Sequence, residues 1–258
     1  MLKLEVDTRG VAHLWLARPE KHNAMSGELI SALAKAAADI QSNDAIRVVV
    51  LAAEGKTFCA GGDLEWMRQQ FHATEDIQRQ EAQNLANMLG AFDALSKPVI
   101  ARVHGNSFGG GLGLMSVCDS VIAVQEARFA LTEVKLGLIP ATIGPYVVAR
   151  MTRSSARRYF YSGQAFGADE ALNSGLVSKV VAAEVLDMAI EEEVKPYLAA
   201  APGAVASAKK LYRKLARSVT QEEVDASIEA LVARWQDPEA RAGIAAFFDK
   251  ERPPWSVD

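Results

Sequence analysis

Apolar and polar positions alternate from Leu2 to Asp7 and again from Val11 to Ala17, on either side of Thr8-Arg9-Gly10. A period of two, broken by a turn, predicts a β-hairpin. From Ser26, a residue suited to cap a helix, an alanine-rich stretch runs with helical spacing to about Gln41. Ile46 to Ala53 is continuously apolar and β-branched, which predicts a strand covered on both faces. Glu54 to Gly62 reads as a loop and Asp63 as the cap of a helix starting at Leu64. A longer helix over Glu75 to Leu95 carries Ile77, Leu85, Met88, Leu89 and Phe92 as its apolar positions. Pro98 to His104 predicts another strand, followed by a glycine-rich turn and a short apolar helix ending near Cys118. Val121 to Val124 and Arg128 to Ala130 add two short strands.

Strand and helix therefore alternate through the first half, the pattern of an α/β core. After about Ile143 the strand signal fades into consecutive helices. Ala199-Ala200-Ala201-Pro202-Gly203 reads as a joint, dividing the chain into a core over 1–198 and a helical region over 199–258. Lys209, Lys210, Arg213 and Lys214 cluster at helical spacing and read as a solvated face.

Composition narrows the classes. Of the 258 residues, 50% are apolar and 23% charged, as in an ordinary globular protein. A net charge of −4 argues against a general nucleic-acid binder. No apolar run is long enough for a membrane span, and the N-terminal sequence lacks a secretory pattern. Cys59 and Cys118 stand in unrelated contexts without metal-ligand spacing, so no metal is expected and a reducing compartment, the cytoplasm, is.

Chemistry concentrates in three segments. Gly105-Asn106-Ser107-Phe108-Gly109 fits a nucleophile elbow between strand and helix. That motif needs a histidine after the serine, whereas His13, His22, His72 and His104 all precede Ser107. The same turn continues as Gly109-Gly110-Gly111-Leu112-Gly113, which fits neither dinucleotide nor phosphate-loop spacing. It does let backbone N–H groups approach a ligand at a helix start. Phe58-Cys59-Ala60-Gly61-Gly62-Asp63 has the same character, and two such loops can aim two N–H groups at one oxygen. Cys59 reads as a small buried hydrophobe. In the third segment, Glu133 is a carboxylate in an otherwise apolar run, where burial would raise its pKa into a useful range.

Together these segments resemble the crotonase, or enoyl-CoA hydratase/isomerase, superfamily. Arg18-Pro19 with Asn23-Ala24, the FCAGGDL loop, GNSFGGGLGL, LTEVKLGLIP and the tail segment Ala246 to Arg252 carry the resemblance. It implies an α/β spiral of ββα units with a C-terminal helical region that assembles homotrimers, often paired as hexamers. It further implies that Gly62 and Gly110 hold a thioester oxygen and that Glu133 is the acid–base group. Asn23, Ala24, Ala60, Gly62, Asp63 and Leu64 would hold the coenzyme A of the substrate, with no separate cofactor. Trp66, Met67, Gly113 and Pro140 would line the acyl pocket. Typical hydratases of the family carry a glutamate where Gly113 stands; here Glu133 lacks that partner, and the small residue is expected to open volume for an acidic or branched acyl group. The wording of Gly61 to Met67, Thr132 to Ile143 and Arg157-Arg158-Tyr159 looks most like the bacterial methylglutaconyl-CoA hydratase branch, in leucine degradation. The resemblance also leaves open a Δ3-Δ2-enoyl-CoA isomerase with Glu133 as sole proton shuttle. A crotonase-like RNA-binding module and a serine esterase at Ser107 are the rival classes.

Overall fold

The computed structural model describes residues 1–216 and 219–256. The hairpin forms from β1 (Leu2–Val6) and β2 (Val11–Leu16), and Ser26 caps α1 (Gly27–Ser42) by accepting a hydrogen bond from the Leu29 N–H. Then follow β3 (Val48–Ala53), β4 (Thr57–Cys59), α2 (Leu64–His72) and α3 (Glu75–Asp93). Next come β5 (Val99–Val103), β6 (Asn106–Phe108), α4 (Gly110–Ser116), β7 (Ser120–Val124) and β8 (Arg128–Ala130). A 3₁₀ turn over Thr132–Leu136 leads to α5 (Gly144–Arg150), α6 (Arg153–Ser162), β9 (Phe166–Gly167), α7 (Ala168–Asn173) and β10 (Lys179–Val181). The chain closes with α8 (Leu186–Ala199), α9 (Pro202–Leu215), α10 (Gln221–Gln236) and α11 (Pro238–Asp249). Among the described residues, no helix is long and apolar enough to cross a membrane.

The strands make two sheets. The larger has the order β1-β2-β3-β5-β7-β10 and is parallel throughout except for the β1–β2 hairpin. Its central strand β3 is buried along its whole length, as the unbroken apolar run requires. The smaller sheet has the order β4-β6-β8-β9, with β4, β6 and β8 parallel. Three times in succession, a strand of the large sheet is followed directly by one of the small sheet: β3 then β4, β5 then β6, β7 then β8. Each turn of this spiral ends at the same edge of the small sheet.

Four short strands depart from the sequence expectation. β4 lies inside the expected loop and β6 inside the expected glycine-rich turn, while β9 and β10 follow Ile143, where only helices were expected. Two or three residues are too few to show a period; their partners in the sheet define them. Of the apolar positions of α3, Ile77 is exposed, whereas Met88, Leu89 and Phe92 are buried. The basic cluster is also corrected in part. Lys209 is partly buried and binds Asp119 at 2.5 Å; Lys210, Lys214 and Arg213, which faces Asp93 at 3.3 Å, are exposed as expected. Charge spacing along α9 shows the helix face but not the acids that meet it from α3 and from the start of β7.

Asn23 ties the hairpin to the β3–β4 connection. It is wholly buried, with φ at +54°, a left-handed conformation that asparagine tolerates better than most side chains. Its Oδ1 accepts from the Arg18 N–H at 2.9 Å, and its Nδ2 donates to the Glu54 and Thr57 carbonyls, both at 2.8 Å. Asn23→Ala leaves all three groups without that partner. The expected cost is about 3 kcal/mol, read from denaturant unfolding; a loss below about 1 kcal/mol would show that these bonds are replaceable.

Candidate active site

Because β4, β6 and β8 run parallel as neighbours, the residues that follow them are presented side by side. After β4 comes the Ala60–Asp63 loop, after β6 Gly109 and the start of α4, and after β8 the turn that holds Glu133. The Gly109 N–H bonds the Ala130 carbonyl at 2.9 Å, which extends the β6–β8 pairing by one residue. Gly109 has φ at +46°, and a methyl group there would come within 2.9 Å of Glu133 Oε1 and 3.6 Å of the Gly61 Cα. Only glycine lets the three segments approach this closely.

The Gly62 backbone is held from both sides. The Met25 N–H donates to the Gly61 carbonyl and the Asp63 N–H to the Met25 carbonyl, each at 2.8 Å. Asp63 caps α2 through the Glu65 and Trp66 N–H groups and pairs with Arg18 at 3.1 Å; Arg18 in turn donates to the Ala24 carbonyl. Among the described residues, neither the Gly62 N–H nor the Gly110 N–H meets an acceptor within the chain.

Gly62, Gly110 and Glu133 share one cavity of about 100 Å³. Its walls are Met25 and Ile30 from the α1 side, Trp66 and Met67 of α2, Leu85 of α3, the segment from Leu138 to Ile143, and Leu231 and Trp235 of α10. Trp66 is anchored through its Nε1, which donates to Glu81 at 2.8 Å. Glu133 keeps some exposed surface as a residue, but its Oε2 is sealed and without a partner. Burial raises its pKa from the ordinary 4.5 to about 7, opposed only by a hydrogen bond from its own N–H. A carboxyl group near half-ionisation at neutral pH is fit to take and return a proton.

Similarity to known proteins identifies the family. Residues 7–257 match the family model described as Enoyl-CoA hydratase/isomerase. The chain belongs to the enoyl-CoA hydratase/isomerase family. It is 27% identical to the crotonyl-CoA hydratase of Syntrophomonas wolfei, over 94% of this chain and 93% of that one. A solved enoyl-CoA hydratase from Mycobacterium smegmatis superposes with a TM-score of 0.81 at 35% identity, covering 99% of each chain. Another, from Mycobacterium avium, gives 0.88 at 32% identity over 99% of this chain and 98% of that one. The fold is that of a crotonase, as the sequence led us to expect, and the protein is an enzyme of this family.

Within the enoyl-CoA hydratase/isomerase frame, the other expected site residues separate. Trp66, Met67 and Pro140 line the cavity. Gly113 does not, and the volume it was expected to open is filled: a methyl group on Gly113 would lie 2.5 Å from Ile143 Cγ2. The side chains of Asn23 and Asp63 are buried and bonded to backbone groups and, for Asp63, to Arg18, so a nucleotide would meet this region through its backbone. Ala24 is buried, Ala60 is partly exposed and Leu64 is exposed. Ser107 is fully buried and its Oγ has no partner, so no base activates it and the esterase reading loses its nucleophile. Sequence reasoning missed Met25, Ile30, Leu85, Leu231 and Trp235, whose apolar character is indistinguishable from core, and Thr142 and Ile143, which carry the family resemblance without announcing a place in the cavity. A larger cavity of about 770 Å³ lies by α5, α8 and α9 and shares no lining residue with the glycine loops.

The raised pKa carries a stability consequence. Below pH 4.5 Glu133 is protonated in both folded and unfolded chains. As pH rises towards 7 the unfolded chain releases this proton first, so folding loses about 3 kcal/mol at about 1.36 kcal/mol per pH unit. Glu133→Gln escapes that loss. Relative to wild type, the variant should gain stability between pH 5 and pH 8, measured by urea unfolding at both. An equal difference at the two pH values would refute the elevated pKa.

Proposed function

We propose that the protein adds water to the double bond of a 2-enoyl-CoA with a short, branched acyl group. The observation that carries this reading is the meeting of two acceptor-less N–H groups, Gly62 and Gly110, with a sealed carboxyl group in one apolar cavity. The N–H groups would bind the thioester oxygen, on which negative charge develops as water adds to C3. Each such preorganised donor contributes about 3–4 kcal/mol to a transition state of this kind. The Glu133 carboxylate takes the proton from the water as its oxygen bonds to C3, and returns a proton to C2 as the enolate collapses. The coenzyme A moiety would lie along the Ala24 and Ala60 backbone, past the exposed Leu64.

The wording around Gly61 to Met67 and Thr132 to Ile143 supports the methylglutaconyl-CoA hydratase branch. The cavity wall keeps the branching but argues against that branch's acidic end. Among the described lining residues none is Lys, Arg or His, so a distal carboxylate buried there would stand unpaired at a cost of several kcal/mol. A branched apolar end suits Trp66, Met67 and Ile143 better. Leu211, Tyr212 and Leu215 leave α9 with an exposed apolar face, which supports assembly into trimers.

Loss of the enoyl thioester absorbance tests the reaction on crotonyl-CoA, a branched 2-enoyl-CoA and 3-methylglutaconyl-CoA, with a 3-enoyl-CoA as the isomerase arm. Hydration of the branched substrate is expected, with kcat/KM falling as pH drops below about 7, where Glu133 becomes protonated. Glu133→Gln should lower turnover about 10²–10⁴-fold with little change in affinity, and Gly110→Pro, which lacks the N–H, should also lose activity. Isomerisation of the 3-enoyl-CoA without hydration of any 2-enoyl-CoA would overturn the reading.

A further inference from the structure

The proposed hydration needs something to hold the attacking water besides the base that deprotonates it, and Gly113 has no side chain to offer. Nor does α4 leave room for water there, since Ile143 packs against Gly113. The cavity nevertheless contains a second polar group. Buried side-chain oxygens and nitrogens without any partner occur at several places among the described residues, but only two belong to residues lining this cavity: Glu133 Oε2 and Thr142 Oγ1. Thr142 is 3% exposed. A buried hydroxyl with no partner is costly to the fold, and such groups call for a reason.

The chain fixes Thr142 relative to Glu133. The Leu138 N–H donates to the Glu133 carbonyl at 3.0 Å, the Ala141 N–H to Ile139 at 2.8 Å and the Gly144 N–H to Ala141 at 2.8 Å. The segment from 138 to 144 is therefore a short, braced arch standing on Glu133 itself. Ile143 turns to fill the slot beside Gly113, while its neighbour Thr142 lines the cavity and its buried hydroxyl has no partner in the fold.

Resting on the hydratase reading, we propose that the Thr142 hydroxyl is the second polar group of the site and binds the water that adds to C3. Its oxygen accepts one hydrogen of the water while Glu133 accepts the other. The proton transferred is the one facing Glu133; Thr142 itself neither gains nor loses a proton. The cavity must widen as the acyl chain enters, since both oxygens are sealed.

Thr142→Val replaces the hydroxyl by a methyl group of the same shape, and Thr142→Ser keeps the hydroxyl. Hydration of the preferred 2-enoyl-CoA should show kcat about 10- to 100-fold lower in the valine variant, with KM within about twofold and recovery in the serine variant. Thermal unfolding should leave the valine variant at least as stable as wild type, because the hydroxyl it removes has no partner in the fold. Exchange of the C2 protons of butyryl-CoA with deuterium oxide, which needs Glu133 and the two N–H groups but no bound nucleophile, should persist in the valine variant. Unchanged hydration by the valine variant overturns the assignment, as does a loss of turnover that accompanies a lower melting temperature or equal loss of exchange. Wild type that exchanges C2 protons yet hydrates no 2-enoyl-CoA overturns the hydratase reading, and this assignment with it.

Discussion

Everything about the site depends on three short strands lying parallel. β4, β6 and β8 have three residues each, too few to hold together alone. They exist because the strands just before them are locked in the large sheet. β3, β5 and β7 are almost wholly buried, and their parallel pairing aligns whatever follows. Hydrophobic burial in the large sheet is thereby converted into registration of polar backbone groups in the small one. Strand spacing of about 4.8 Å then brings the two glycine loops and the glutamate turn within reach of one small ligand.

The Arg18–Asp63 pair works within that frame. Both side chains are largely buried, and an ion pair so placed adds little net stability once desolvation is counted. What it adds is orientation. The same guanidinium holds the Ala24 carbonyl and the same carboxylate holds two N–H groups of α2, so the backbone on both sides of Gly62 answers to one contact. An N–H group aimed at a ligand is only as well directed as the peptide plane that carries it.

The sequence disclosed long elements and dense local motifs. The hairpin, α1, the buried run of β3, and both glycine loops were legible because their signals lie within short, continuous stretches of chain. Glu133 was legible as an acid in apolar surroundings, and its sealed Oε2 agrees. β9 and β10 were not, since strands of two and three residues are made by their partners. The role given to Gly113 failed for a related reason. A glycine announces missing volume but not what fills it, and here Ile143, thirty positions on, fills it. Leu231 and Trp235 read as ordinary helix core because apolar residues facing a ligand and apolar residues facing a protein look alike in sequence.

Those two residues impose an order in time. Leu231 and Trp235 belong to α10, whose Val224, Ile228 and Val232 pack on Ala82 and Ala86 of α3. A ribosome releases Glu133 about a hundred residues before Trp235, so the spiral of the nascent chain can close while one wall of the acyl chamber is still unmade. Until α10 is made, the side of the acyl chamber formed by Leu231 and Trp235 stands open. The chamber is therefore assembled from segments far apart in the chain, and its α10 wall can be added only after the spiral that positions Glu133 has been made.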